Sequence, residues 1–307
     1  MIRQVKLWSL VMGGLMALNS CSVKSKSTLD NDSYFQEIES WHRHRVANSL
    51  QGPQGWLNLT GLYWLKEGIN TFGSDPASDL IFPDKMPGQA GDFIVRQGEV
   101  RMQLAAGVLV EFDGKTVSEE ILYFPDSAYF PVMHYGPVQF HVVKRAGELG
   151  IRVRDLQSDA LAQFKGVDRF PVDLKWRLQA HFEPAEQSRK LQVTNIVGQT
   201  YDQASPGTLV FDIAGTAYRL DVLDEGGEEY FVIFGDNTNG DITYPSGRYM
   251  YVSKPDENGN VVVDFNKAYN PPCAFTDYAT CPLPPRQNIL DVDITAGEKK
   301  YTLHDEE

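Results

Sequence analysis

Two late segments concentrate the side chains able to do chemistry. In FGDNTNGDITYPSGRYMYV, residues 234–252, Asp236, Thr238, Tyr244 and Arg248 stand among turn formers. Turn chemistry accounts for the asparagines, aspartates and glycines, whose short side chains bond their own backbone or tolerate positive φ. It does not require an arginine or a tyrosine. In DFNKAYNPPCAFTDYATCPLPPRQN, residues 264–288, Asp264, Asn266, Tyr269 and Asn270 precede five prolines and two cysteines. VVVDFN reads as the end of a strand, which puts Asp264 and Asn266 on one face. KPDENGN reads as the turn of a hairpin that sets Arg248 and Asp264 on adjacent strands. An Arg–carboxylate pair ringed by tyrosines either locks a loop or binds a carboxylate, a phosphate or a sugar. Aromatic and amide side chains together suit sugars, whose apolar faces stack while their hydroxyls need donors and acceptors.

A hydrolytic use of the same residues would take Asp236 and Asp264 as acid and base, with Arg248 stabilising charge. For glycoside chemistry the two carboxyls should lie roughly 5 to 9.5 Å apart across a cleft. A third use is purely structural, with no small ligand. No nucleophile elbow, phosphate loop, HExxH or CxxC pair occurs, and SPG at Ser205 is not the five-residue nucleophile motif. The six histidines, His42, His44, His134, His141, His181 and His304, are scattered. No metal and no cofactor are expected.

Cys273 and Cys281 are eight apart. In an oxidising compartment two cysteines this close should pair. Closing nine residues is worth about 2.6 kcal/mol by loop entropy, less where prolines already stiffen the chain. The bridge would make the segment a rigid cover holding Tyr269, Asn270, Phe275 and Tyr278. Redox or metal chemistry is the alternative use of the thiols.

The compartment follows from the first residues. MIRQVKLWSLVMGGLMALNSC has Arg3 and Lys6, an apolar run from Leu7 to Leu18, then Cys21. A basic start, a short apolar stretch and a small residue before the cut make residues 1–20 a signal peptide. Leu18, Ser20 and Cys21 resemble a bacterial lipobox, which implies a lipidated Cys21 and a membrane anchor through acyl chains. Ser22, by the same analogy, favours the outer membrane. Residues 21–33, polar and poor in apolar side chains, read as a flexible tether. Removing the two signal cations takes the formal charge from −13 to −15. Such an acidic chain is a poor partner for nucleic acid.

The body must position these residues. Phe35, Ile38, Trp41, Val46 and Leu50 recur at helical spacing, predicting one amphipathic helix over about 34–50. From Trp56 onward the pattern alternates with period two, broken by Gln-Gly, Asp-Gly, Ala-Gly, Gly-Gly and Asn-Gly turns. The expected fold is mostly β: an antiparallel sandwich or barrel, or two packed β units divided near residues 125–126.

The chain also resembles a known family, the bacterial DUF1684. GWLNLTGLYWL (55–65), FGSDPASDLIFP (72–83), IRVRD (151–155), FPVDLKWR (170–177), SPG (205–207) and the two late segments carry the resemblance. It implies a family and no established activity. LKEGINTFGSDPASDLIFPD, residues 65–84, is similar to the opening of a forkhead-associated β-sandwich, which implies that shape over about 56–125. The phosphothreonine-binding arginine of that family has no counterpart at Gly73-Ser74-Asp75.

Overall fold

The computed structural model describes residues 31–186 and 189–302. The signal segment, Cys21, the tether up to residue 30 and His304 lie outside the described residues. Asn31–Ser33, expected in the tether, are already helical.

Four of the expected hairpins form by one device. Gln97-Gly98, Asp113-Gly114, Ala146-Gly147 and Ala214-Gly215 have positive φ at both positions. Two such residues in a row give the turn whose twist matches right-handed strands. The flanking strands pair in register: Gly91–Arg96 with Glu99–Leu104, Val110–Phe112 with Lys115–Val117, Val138–Arg145 with Glu148–Asp155, and Gly207–Ile213 with Thr216–Asp221.

Strands between Leu59 and Asp155 build a two-sheet sandwich. One sheet runs Leu59–Trp64, Glu148–Asp155, Val138–Arg145, Met133–Tyr135, Val110–Phe112, Lys115–Val117. The other runs Leu80–Ile81, Gly68–Gly73, Gly91–Arg96, Glu99–Leu104, Glu119–Tyr123. Their inner faces meet at stacked Phe72 and Phe93, 4.2 Å between centroids, with Phe140 edge-on to Phe82 at 5.4 Å. Each buried phenylalanine is worth roughly 1.5–3 kcal/mol. The expected division near 125–126 therefore falls inside this unit. The reason is burial: Val138, Phe140 and Val142 alternate onto the same core as Phe72 and Phe93, and Glu148–Asp155 supplies the ladder for Leu59–Trp64.

The later strands surround a second core. A sheet in the order Thr216–Asp221, Gly207–Ile213, Arg177–Pro184, Asn260–Asp264 is joined by two ribbons, Lys190–Thr194 with Thr200–Ala204 and Glu229–Phe234 with Arg248–Ser253. Phe265 sits at its centre, edge-on to Phe234 at 5.2 Å and to Phe211 at 5.8 Å. The expected hairpin between Arg248 and Asp264 is not formed. Arg248–Ser253 pairs with Glu229–Phe234, whereas Asn260–Asp264 pairs with Arg177–Pro184. KPDENGN is a crossover held by Asp256, whose carboxylate accepts from the N–H groups of Asn258 and Asn260. Crossing lets Val261 and Val263 bury in the second core, and that gain outweighs the local turn preference.

The helix Asn31–Arg45 continues into a wider turn, Val46–Leu50, close to the expected span. Tyr34, Ile38 and Leu50 are buried, while Phe35, Trp41 and Val46 are half-buried. Arg45 turns inward and donates from Nε and Nη2 to Glu298 at 2.6 and 3.0 Å. The same Nη2 reaches the Asn270 carbonyl at 3.1 Å. The helix is thus bolted to the last part of the chain. Among the described residues no helix is long and apolar enough to cross a membrane.

Candidate functional site

The residues singled out from the sequence separate into three groups. Arg248 and Asp236 form one, both with side chains fully out of solvent. Arg248 donates to Asp236 Oδ2 at 2.6 Å and to the carbonyls of Ile294 and Ala296. Asp236 Oδ1 accepts from the Thr238 N–H at 2.9 Å, the Thr238 hydroxyl at 2.6 Å and the Ile294 N–H at 3.3 Å. Burial lowers the Arg248 pKa, and the Asp236 charge beside it opposes the shift. This is a lock between strand Arg248–Ser253, the turn at Asp236 and the terminal segment. Asp236 is sealed behind main-chain donors, so the expected acid–base pairing of Asp236 with Asp264 has no geometry in which to act.

The expected Arg248–Asp264 pair is likewise replaced. Asp264 accepts from the Tyr34 hydroxyl at 2.9 Å on both oxygens, and from the Asn266 N–H at 3.1 Å. Asn266 bridges to the Asp173 carbonyl, and its Oδ1 accepts from the Asp173 N–H. Asn270 is fully buried. It donates its N–H to Glu298 and its amide to the Lys299 carbonyl. Sequence reasoning missed Arg45 and Glu298, which hold this corner. A charged residue on a helix gives no signal of being buried until its partner, 253 residues away, is known.

The proline-rich loop is fixed as its composition implied. Cys273 and Cys281 form a disulfide with Cα atoms 6.1 Å apart. At one end Tyr269 exchanges both backbone hydrogen bonds with Tyr249, each 2.9 Å. At the other, the Ile196 N–H donates to the Cys281 carbonyl at 2.9 Å and the Leu283 N–H to the Thr194 carbonyl at 2.8 Å. Tyr249 donates to the Pro282 carbonyl at 2.7 Å, and Tyr244 to the Cys273 carbonyl at 3.2 Å. The Thr276 hydroxyl donates to the Leu59 carbonyl at 3.2 Å, reaching the first sandwich.

Beneath this loop a cleft of about 500 Å³ opens where the two cores meet. Pro272, Cys281 and Pro282 form its loop side, and Trp56, Tyr251 and Tyr269 its aromatic side. Arg145, Arg152 and Arg154 line it from the first sandwich, and Gln203 and Glu225 line it from the later strands. Glu225 accepts from the Tyr251 hydroxyl at 3.0 Å. Burial keeps the phenols of Tyr249, Tyr251 and Tyr269 protonated well beyond the ordinary range. Tyr269 is held by the Arg45 guanidinium, 4.3 Å from its ring centroid. Tyr251 and Tyr269 also border a second cleft of about 580 Å³, where Asp264, Glu37, Trp41 and Lys267 meet. Of the residues expected at a ligand site, Tyr269 lines both clefts and Asp264 the second. The arginines were missed as site residues. For Arg152 and Arg154 the sequence signal was IRVRD, where the two cations alternate with Ile151 and Val153; Arg145 lies outside it.

No curated protein matches the chain. An uncharacterized protein of Haloarcula marismortui, solved by NMR in solution, is 31% identical over 45% of this chain and 78% of its own, with a TM-score of 0.39. The DUF1684 match, to proteins of unknown function, spans residues 162–299. The motifs at 170–177, 205–207 and both late segments fall within it, while those at 55–65, 72–83 and 151–155 precede it. The tyrosines of the cleft lie inside the matched span and its arginines before it. Through residues 162–299, the chain belongs to the DUF1684 family.

Proposed function

We propose that this is a lipid-anchored protein of the bacterial cell envelope, held at the outer membrane through Cys21, whose body binds a small polar or glycan ligand. The binding place is the cleft beneath the stapled loop. One observation carries the reading: Trp56, Tyr251 and Tyr269 border an open cleft whose other wall is a loop stiffened by a disulfide and pinned at both ends. Ligand sites combine apolar walls with a few placed polar groups. Here the rings would stack on a sugar face while Gln203 and Glu225 meet hydroxyls. A rigid wall loses little entropy on binding. The N-terminal signal and the lipobox-like LNSC support the location.

The test of the ligand site is retention of the detergent-solubilised full chain on immobilised envelope polysaccharide. Tyr251 is 43% exposed and sits on the surface of its strand, so Tyr251→Ala should spare the fold. Loss of retention is expected; unchanged retention, or none by the parent chain, removes the reading. For the anchor, Cys21→Ser should move the protein to the soluble envelope fraction. A variant that still pellets with membranes in high salt refutes lipidation.

A further inference from the structure

The three arginines of the cleft share one face of the six-stranded sheet. In the register of Val138–Arg145 with Glu148–Asp155, Arg152 stands opposite His141, Arg154 opposite Gln139 and Arg145 opposite Glu148. Val138, Phe140, Val142, Ile151 and Val153 point the other way, into the core. Arg152 and Arg154, two residues apart on an extended strand, are separated by about 7 Å along it. Arg154 is only 8% exposed. Among the described residues it donates once, to the Gly55 carbonyl at 2.7 Å, and its Nε has no partner. The Nε of Arg152 is also buried without a partner among the described residues. Among the described residues Arg145 donates only to the Lys144 carbonyl. Among the described residues, no ion pair includes any of the three.

For Arg154, buried, and Arg152, half-buried, this is costly unless an anion completes it, because a cation taken out of water without a counter-charge loses hydration; Arg145 stands exposed beside them. Scarcity does not explain the missing carboxylate, since the chain has 41 acidic residues and a formal charge of −13. Burial, with Arg145 and Arg154 nearby, pushes Arg152 down to about 10. The same field, after burial, pushes His141 down to about 4. The carboxylate that does line the cleft, Glu225, is engaged by Tyr251. The cleft is therefore polarised, cationic along the sandwich and aromatic with one carboxylate across from it.

We propose that the ligand of this cleft is a phosphorylated sugar, its phosphoryl group held by Arg145, Arg152 and Arg154 and its ring by Tyr251 and Tyr269. This rests on the reading of the cleft as a glycan site. Guanidinium forks match phosphoryl oxygens in pairs, and a phosphomonoester brings close to two negative charges, nearer to the three cations than a single carboxylate does. Glu225 repels the phosphoryl group from the aromatic end and accepts from sugar hydroxyls there, which sets the direction of the ligand.

The experiment is calorimetric titration of the full-length chain in detergent with a hexose 6-phosphate, the parent hexose, inorganic phosphate, and vesicles of phosphatidylcholine containing phosphatidylinositol 4-phosphate. The hexose phosphate should bind at least tenfold more tightly than the hexose. Arg152→Gln and Arg145→Gln should each weaken it at least tenfold, without changing Tyr251-dependent retention on neutral polysaccharide. Binding to the vesicles alone would assign the sugar phosphate to a lipid headgroup, and binding to the soluble compound to a free metabolite. A second measurement needs no variant: the His141 ring resonances should titrate at higher pH once phosphate or hexose phosphate is bound. Equal binding of hexose and hexose phosphate, or no response to either arginine change and none at His141, overturns the phosphoryl assignment. If Tyr251-dependent retention persists in that case, the glycan reading stands alone. If retention is absent as well, both fall.

Discussion

The Asp236–Arg248 pair makes a quantitative test of whether these residues lock the fold. Asp236→Asn keeps the shape but leaves the Arg248 guanidinium fully buried with two carbonyls and no counter-charge. Removing one partner of a buried pair costs about 3–5 kcal/mol, chiefly through the stranded charge. Arg248→Met strands the carboxylate instead. Its Oδ1 keeps three donors while Oδ2 loses the arginine. A stranded carboxylate can escape by taking up a proton, whereas a guanidinium does not release one at accessible pH. The cost of Arg248→Met should therefore shrink from pH 8 to pH 5, while that of Asp236→Asn stays nearly constant. In the double variant neither charge remains, so its cost should fall short of the sum of the singles by at least about 1.5 kcal/mol, within the range found for contacting residues. Urea unfolding at both pH values reads all three. Additive costs, or single costs below about 1 kcal/mol, would refute the argument.

Three further outcomes are expected. His141, pushed down to about 4 in the fold against an ordinary value near 6.5, stays neutral between those values while the unfolded chain binds the proton. Stability should thus be full above pH 6.5 and fall by at most about 3 kcal/mol as pH drops toward 4; His141→Gln should flatten that slope in thermal melts, and an unchanged slope would exclude His141 as its source. Replacing Cys273 and Cys281 by serine should cost less than about 2.6 kcal/mol, because the backbone bonds of Tyr269, Cys281 and Leu283 still pin the loop. Hydrogen exchange should rise first at residues 273–281, and equal exchange in both forms would contradict the staple. Gly247 has φ 88°, and an added Cβ would lie 2.5 Å from Pro284 Cγ and 2.6 Å from the Phe234 carbonyl. Gly247→Ala should therefore lower the unfolding midpoint by more than the 1–2 kcal/mol of a left-handed residue alone; a smaller loss would mean the loop yields.

Some of this architecture is local and was legible. The turns Gln97-Gly98, Asp113-Gly114, Ala146-Gly147 and Ala214-Gly215 place glycine second between alternating strands, and each made its hairpin. The apolar spacing of residues 35–50 specified a helix, and the two late cysteines specified a bridge, because both depend on neighbours within about a dozen residues. What tertiary structure alone decided was partnership across the chain. Asn258-Gly259 carries the same kind of turn signal, yet the strand after it pairs with Arg177–Pro184, where its valines bury. Arg248 chose Asp236 over Asp264 because the strand carrying Asp264 left its side. The alternation in IRVRD already declared that Arg152 and Arg154 share a face. That this face meets tyrosines from another hundred residues along depends on how two separate cores dock. Hydrophobic burial sets such docking, and it rewards total buried area rather than any short run of residues.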